Sequence, residues 1–221
     1  VPGTGSKIKI DFYNPAGSIT KKLLPTGNAK DIITVEDGSS YTVSIVDAGN
    51  PVIFLSAEEI GLKGTELPAE VENMPDILKR IEAIRSIAAE MIGIVPDRKQ
   101  ATSISPAYPK IGFVSPPQDY YNPDGIFISK ENIDITARLA SMQKMHRAYM
   151  ITGAVCTGAA SKIKGTLVNE MMSERAKNCD TLIIGHPYGP MEVSTDFQNS
   201  TVIKSSVYRT ARKILDGVVY I

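Results

Sequence analysis

The residues of this chain that could do chemistry are few, and most sit in turns rich in glycine and proline. These are Val1-Pro2-Gly3-Thr4-Gly5, Leu24-Pro25-Thr26-Gly27-Asn28, Asp47-Ala48-Gly49-Asn50-Pro51, Thr152-Gly153-Ala154 and Gly185-His186-Pro187-Tyr188-Gly189. Each forces a tight turn and lets bare backbone N–H groups approach a ligand closely. Several such turns, placed at the ends of apolar runs, suit a site built from backbone donors for a small carboxylate. The expected substrate contacts are Thr4, Gly5, Asn50, Pro51, Thr152, Gly153, His186, Pro187, Tyr188 and Gly189. Gly27 and Asn28 follow the same logic more weakly.

The side chains available to act with them are mostly unpaired in sequence. His186 stands between a strand and a glycine turn, where functional histidines often lie, and binding suits it better than proton transfer. His146 falls on an apolar stripe, either packed there or aimed into a cleft. Asn50 either offers its amide to a carboxylate or only makes a turn. Cys156 lies near the start of a small-residue segment. A helix dipole there would lower its pKa and make a proton-handling thiol, but plain packing explains the residue better. Arg209 and Arg212 either grip a carboxylate in bidentate fashion or form a solvated face. No nucleophile–base pair, phosphate loop or dinucleotide fingerprint is present. No His/Cys spacing preorganises a metal site, and no cofactor is expected.

Composition narrows the class. The 221 residues carry 24 Lys+Arg and 24 Asp+Glu, so no basic excess points to nucleic acid or a membrane surface. No apolar run is long enough for a membrane helix. With 43% hydrophobic residues, no Trp and few aromatics, the core must be aliphatic. Two cysteines and no secretory pattern fit a reducing cytosol. Val1-Pro2-Gly3 reads like the middle of a loop. Gly217 to Ile221 reads like an apolar strand with an unpaired edge. The expectation is therefore one half of a two-lobed protein, with homo-oligomerisation left open.

These residues must be positioned by elements of both kinds. Lys7 to Phe12 alternates as a half-buried strand, and Asp37 to Ser40 turns into a strand over Tyr41 to Val46. Val52 to Leu55 is a short buried strand, and Ser56 caps a short helix ending at Gly61. Pro75 opens a long helix stopped at Gly93. The stretch 95–124 reads as a long excursion, a lid or rim, with one strand at Ile111 to Val114. A second helix is expected from Asn132 to Tyr149, with Ile135, Leu139, Met142, His146 and Tyr149 on one face. Thr152 to Ile163 is almost wholly Gly, Ala, Ser, Thr, Val and Cys, which suits a central helix wrapped by strands. Asp180 to Ile184, Met191 to Thr195, Thr201 to Val207 and Gly217 to Ile221 supply further strands, with Arg209 to Leu215 bridging the last two. Strands first, helices in the middle and strands last imply an α+β fold.

Taken in order, Pro2-Gly3-Thr4, Pro15-Ala16-Gly17-Ser18, Leu24-Pro25-Thr26-Gly27-Asn28, Val46-Asp47-Ala48-Gly49-Asn50-Pro51, Met145-His146-Arg147-Ala148, Ala154-Val155-Cys156-Thr157-Gly158, Gly165-Thr166, Gly185-His186-Pro187 and Arg209-Thr210-Ala211-Arg212 resemble the second half of the PrpF-type 2-methylaconitate and 3-methylitaconate isomerase family. The resemblance implies a fold like diaminopimelate epimerase: two lobes, each a curved, mostly antiparallel sheet around a central helix, with the site in the cleft between them. Residues 1–204 would be the second lobe, and 205–221 would return to a first lobe. It implies cofactor-free proton abstraction beside a conjugated carboxylate and reprotonation elsewhere on the allylic system. The lysine and cysteine that handle protons in the family belong to the first lobe and match nothing here. What carries over are the Asn50 turn and the His186 to Gly189 turn. Tyr188 stands where relatives tend to have a small residue, and Lys164 replaces a usual proline; both bear on substrate identity. Two other readings remain: a non-catalytic carboxylate-binding domain, and an oxo-dicarboxylate tautomerase.

Overall fold

The computed structural model describes residues 5–211, 213 and 215–218. Its elements run β1 (Lys7–Tyr13), β2 (Asp31–Thr34), β3 (Ser40–Ala48), β4 (Asn50–Ser56), α1 (Pro68–Glu72), α2 (Pro75–Met91), α3 (Ala101–Ile104), β5 (Lys110–Ser115), β6 (Tyr120–Tyr121), β7 (Phe127–Ile128), β8 (Ile135–Ser141), β9 (Lys144–Met145), α4 (Ile151–Lys162), α5 (Leu167–Met171), α6 (Glu174–Lys177), β10 (Thr181–His186), β11 (Gly189–Gln198) and β12 (Thr201–Thr210). One sheet has the order β1-β12-β11-β10-β8-β5-β4-β3-β2, with β9 hydrogen-bonded to β8. Among the described residues only the β4–β5 and β8–β10 pairs are parallel. The β6–β7 hairpin stands apart. The fold is therefore α+β, with a large, mostly antiparallel sheet.

That sheet curves around α4. Every residue of α4 from Gly153 to Ser161 is buried. A helix apolar all round has no solvent face and must be enclosed. Its small residues let the strands come close. A Cβ on Gly158 would lie 2.6 Å from Thr195 Oγ1 and 3.0 Å from Val193 Cγ2 of β11. One on Gly153 would collide with the Leu139 side chain of β8. Strand alternation then divides the apolar residues between two cores. Val46, Val52, Phe54, Val114, Ile135, Ala137 and Leu139 face α4. Val43, Ile45, Ile53, Leu55, Ile111 and Phe113 face outward and are covered by Ile81, Ile84 and Ala88 of α2.

Several expectations need correcting. Residues 132–149 are not a helix but the hairpin β8–β9, followed by a loop. The apparent helical stripe is a coincidence of spacing. The alternation Ile135, Ala137, Leu139 is what the core selects. Met142 and Gln143 turn the hairpin with φ of 56° and 59°, a conformation normally signalled by Asn-Gly. His146 consequently lies in a loop. The 95–124 stretch is no simple rim, because β5 crosses the middle of the sheet with all six residues buried. Ser56 ends β4 rather than capping a helix; the following turn, Glu58–Ile60, is a 3-10 segment that does close at left-handed Gly61. A boundary at 204/205 falls inside β12, which continues through Thr210. Arg209 is therefore in a strand, and Gly217 and Val218 are not in one, while Val219 to Ile221 lie outside the described residues.

Candidate functional site

The N-terminal end of α4 gathers most of the residues picked out by their type. Met150 occupies the capping position in extended conformation and provides no side-chain cap. The N–H groups of Ile151, Thr152 and Gly153 find no acceptor among the described residues. They carry the positive end of the helix dipole.

The β3–β4 turn lies against this end. Gly49 has φ +73°, and a Cβ there would stand 3.3 Å from Val155 Cγ1. Glycine meets both demands, the left-handed backbone and the close approach. The turn is held from behind, where the buried Asp47 carboxylate accepts from the hydroxyls of Ser18 and Thr20 and the amides of Ile19 and Thr20. Gly49 N donates to Pro15 O at 2.8 Å. Asn50 Nδ2 donates to Thr152 Oγ1 at 2.6 Å. The amide thus works through Thr152, leaving that hydroxyl proton free to donate outward. Pro51 is buried in β4.

The His186 turn comes from the other side. Tyr120 Oη donates to the His186 carbonyl at 2.5 Å, and Tyr188 N donates to His186 Nδ1 at 3.2 Å. The Tyr149 ring stacks on the imidazole, with centroids 6.4 Å apart. Pro187 is buried, Tyr188 is exposed, and Gly189 takes φ +127° to start β11. Behind the turn lies Arg138, 1% exposed. Its guanidinium donates to four backbone carbonyls, those of Thr65, Glu66, Ala137 and Gly185, and among the described residues no carboxylate forms an ion pair with it. Burial lowers its pKa to about 10. Burial first, then the charges of Arg138, Arg209 and His146, push His186 down to about 4. Burial also pushes the Tyr120 phenol up to about 12 and the Tyr149 phenol higher still.

Asn50 and Thr152 are in direct contact, and the His186 turn is linked to the start of α4 through Tyr149, which stacks on His186 and precedes the helix by two residues. Gly5 lies along Thr210 and Ala211, beyond Arg209. Thr4 and Arg212 are outside the described residues. Gly27 and Asn28 are not at this end: Asn28 Nδ2 binds Asp31, and the neighbouring Ala29 touches Gly165 beyond the C-terminus of α4. Cys156 is fully buried, its thiol donates to Val46 O at 3.1 Å, and burial raises its pKa. It is a wall residue, out of reach of a ligand. Sequence reasoning missed Arg138, Tyr120 and Tyr149 as parts of the site. Only the alternation through β8 could have signalled an arginine among core residues.

The family model for PrpF protein matches residues 1–221. The chain belongs to the PrpF protein family. This PrpF-family chain is 40% identical over 222 residues to a 3-methylitaconate isomerase of Eubacterium barkeri, covering all of the chain and 58% of that protein. It is 34% identical to a 2-methyl-aconitate isomerase of Shewanella oneidensis, covering 97% of the chain and 55% of that protein. It superposes over its full length on 57% of a crystal structure described as methylitaconate-delta-isomerase, with a TM-score of 0.93 and 40% identity. The chain thus spans less than three-fifths of the length of these relatives. No helix among its described residues is long and apolar enough to cross a membrane.

Proposed function

We propose that this chain is the carboxylate-holding lobe of an isomerase that moves a proton and a double bond in a small unsaturated di- or tricarboxylate of the methylitaconate or methylaconitate type. The observation that carries this reading is the uncapped N-terminus of α4, with the Asn50–Thr152 pair on its first turn and His186 stacked on Tyr149 just before it. A carboxylate there would accept from the open helix amides and from the Thr152 hydroxyl.

The chemistry conserves composition and oxidation state, so no redox partner enters it. A base removes a proton from the carbon allylic to the conjugated carboxylate. The freed electron pair delocalises into a dienolate, and a proton returns at the other end of the allylic system. The dienolate carries its charge on the carboxylate oxygens, where donors already in place lower its energy. In this lobe Cys156 is sealed in the core, and His186 is a weak base, its pKa lowered to about 4 and its Nδ1 lone pair taken by the Tyr188 amide. The base is therefore assigned to a second lobe outside this chain, facing the same cleft.

Proton NMR of methylitaconate in D2O tests this. The 221-residue chain alone should give no allylic exchange, and the chain joined to such a lobe should give exchange and product. Turnover by the 221 residues alone would sink the division of labour. Absence of turnover with both lobes, for methylitaconate and methylaconitate alike, would sink the isomerase reading.

A further inference from the structure

The two histidines of this chain, 40 positions apart in sequence, have the same local geometry. In each, the backbone N–H two residues on donates to the ring Nδ1: Ala148 N to His146 and Tyr188 N to His186, both at 3.2 Å. A backbone N–H can donate only to an unprotonated ring nitrogen, so in both rings the single proton sits on Nε2. Neither Nε2 has a hydrogen-bond partner among the described residues, although His186 is only 9% exposed. His146 is anchored through its own amide to Leu139 O at 2.7 Å, next to Arg138 on β8. Tyr149, three residues on, stacks on His186. The side-chain charges that act on His186 from the neighbouring strands are cations, Arg138 of β8 and Arg209 of β12, and the phenols beside it, Tyr120 and Tyr149, stay protonated. Such surroundings disfavour an imidazolium and favour an anion lying against the ring edge.

We propose that His146 and His186 form a matched pair of neutral Nε2–H donors that clasp one oxyanion of the substrate beside the N-terminus of α4. The pair would deepen the isomerase reading and rests on it: its anion is the carboxylate that becomes the dienolate. A neutral donor suits that task, because it strengthens its hydrogen bond as charge develops without surrendering its proton to the intermediate. The geometry also explains why both loops spend a backbone amide on Nδ1. That bond fixes the tautomer and the direction of the free N–H.

Long-range proton–nitrogen spectra of protein labelled with 15N-histidine test the pair directly, with the two rings assigned by H146Q and H186Q. At pH 8 both rings should show the Nε2–H tautomer. Either ring in the Nδ1–H form overturns the proposal, whichever ring it is, so the parent spectrum alone decides this arm. Itaconate is the probe for the second arm. Its titration should shift both Nε2–H protons downfield together, and H146L and H186L should each weaken it by about 10-fold or more. The glutamine variants, whose side-chain N–H can stand near the Nε2–H position, should stay within roughly 3-fold. Itaconate binding that leaves either ring unshifted, or leucine variants that bind like the parent, overturns the pair even if turnover is intact. Joint shifts on itaconate, with no turnover of methylitaconate or methylaconitate once both lobes are present, support the pair while removing the isomerase reading.

Discussion

At its C-terminal end α4 runs into a saturated network, while at its N-terminal end its first amides find no acceptor among the described residues. The buried Thr166 hydroxyl donates to Ala160 O at 2.7 Å, Asn169 Nδ2 donates to Ser161 O at 2.7 Å, and Ser161 Oγ returns to Gly158 O. Lys162 Nζ reaches Cys179 O. Thr166 also caps α5. At the other end Met150 caps nothing, and three amides have no acceptor among the described residues. Helix ends need partners in either case. Where the chain supplies them, the end is structure. Where it withholds them, beside the Asn50–Thr152 pair, the end is where the proposed carboxylate would sit.

The largest effect should come from breaking what both ends share, the close wrap of strands around the helix. Gly158→Leu drives a side chain into Val193 and Thr195. It should cost about 3 kcal/mol or more, or abolish cooperative urea unfolding. A variant as stable as the parent would show that the sheet does not hold α4 closely.

Acid should weaken the open end next. The folded pKa of His186 is about 4 against an ordinary 6.5. Between those values the unfolded chain binds more protons than the folded one. The contribution is complete above pH 6.5 and lost as pH falls through about 4, on the order of 3 kcal/mol in all. Urea titrations at pH 7, 6 and 5 should show this slope, and H186Q should flatten it. An equal slope in both proteins would remove His186 as its source.

Thr166→Val tests the closed end. It keeps the shape and deletes the hydroxyl that serves the Ala160 and Ile163 carbonyls, so it should cost about 2 kcal/mol. Itaconate affinity should not change. A loss of affinity matching the loss of stability would mean that the two ends are not independent.

The smallest change in stability, and the most telling, is expected from Thr152→Val. Asn50 is half-buried and can turn to water, so stability should stay within about 0.5 kcal/mol. Itaconate affinity should fall roughly 10-fold through the lost charge-assisted donor. Unchanged affinity would place the carboxylate away from the amides of α4.

Much of this was legible in the residues themselves. β1, the hairpin into β3, α2 opened by Pro75, and the run of small residues that became α4 all follow from patterns that local physics selects. So does the His186 turn, where Gly185 and Gly189 flank Pro187. The failures share one cause. Residues 132–149 satisfied a helical spacing as well as a strand alternation, and only packing against α4 chose between them. Ser56 had the type of a cap without the position of one.

The sequence by itself determined which segments must be enclosed and where backbone donors would lie bare, because small residues, prolines and glycines act over a few neighbours. Only the tertiary structure decided which donors meet. Asn50 reaches Thr152 across 102 positions, and Arg138, hidden in a misread segment, supports the carbonyl before His186. Such contacts depend on how strands far apart in the chain curve around one helix, and no local pattern records that curvature.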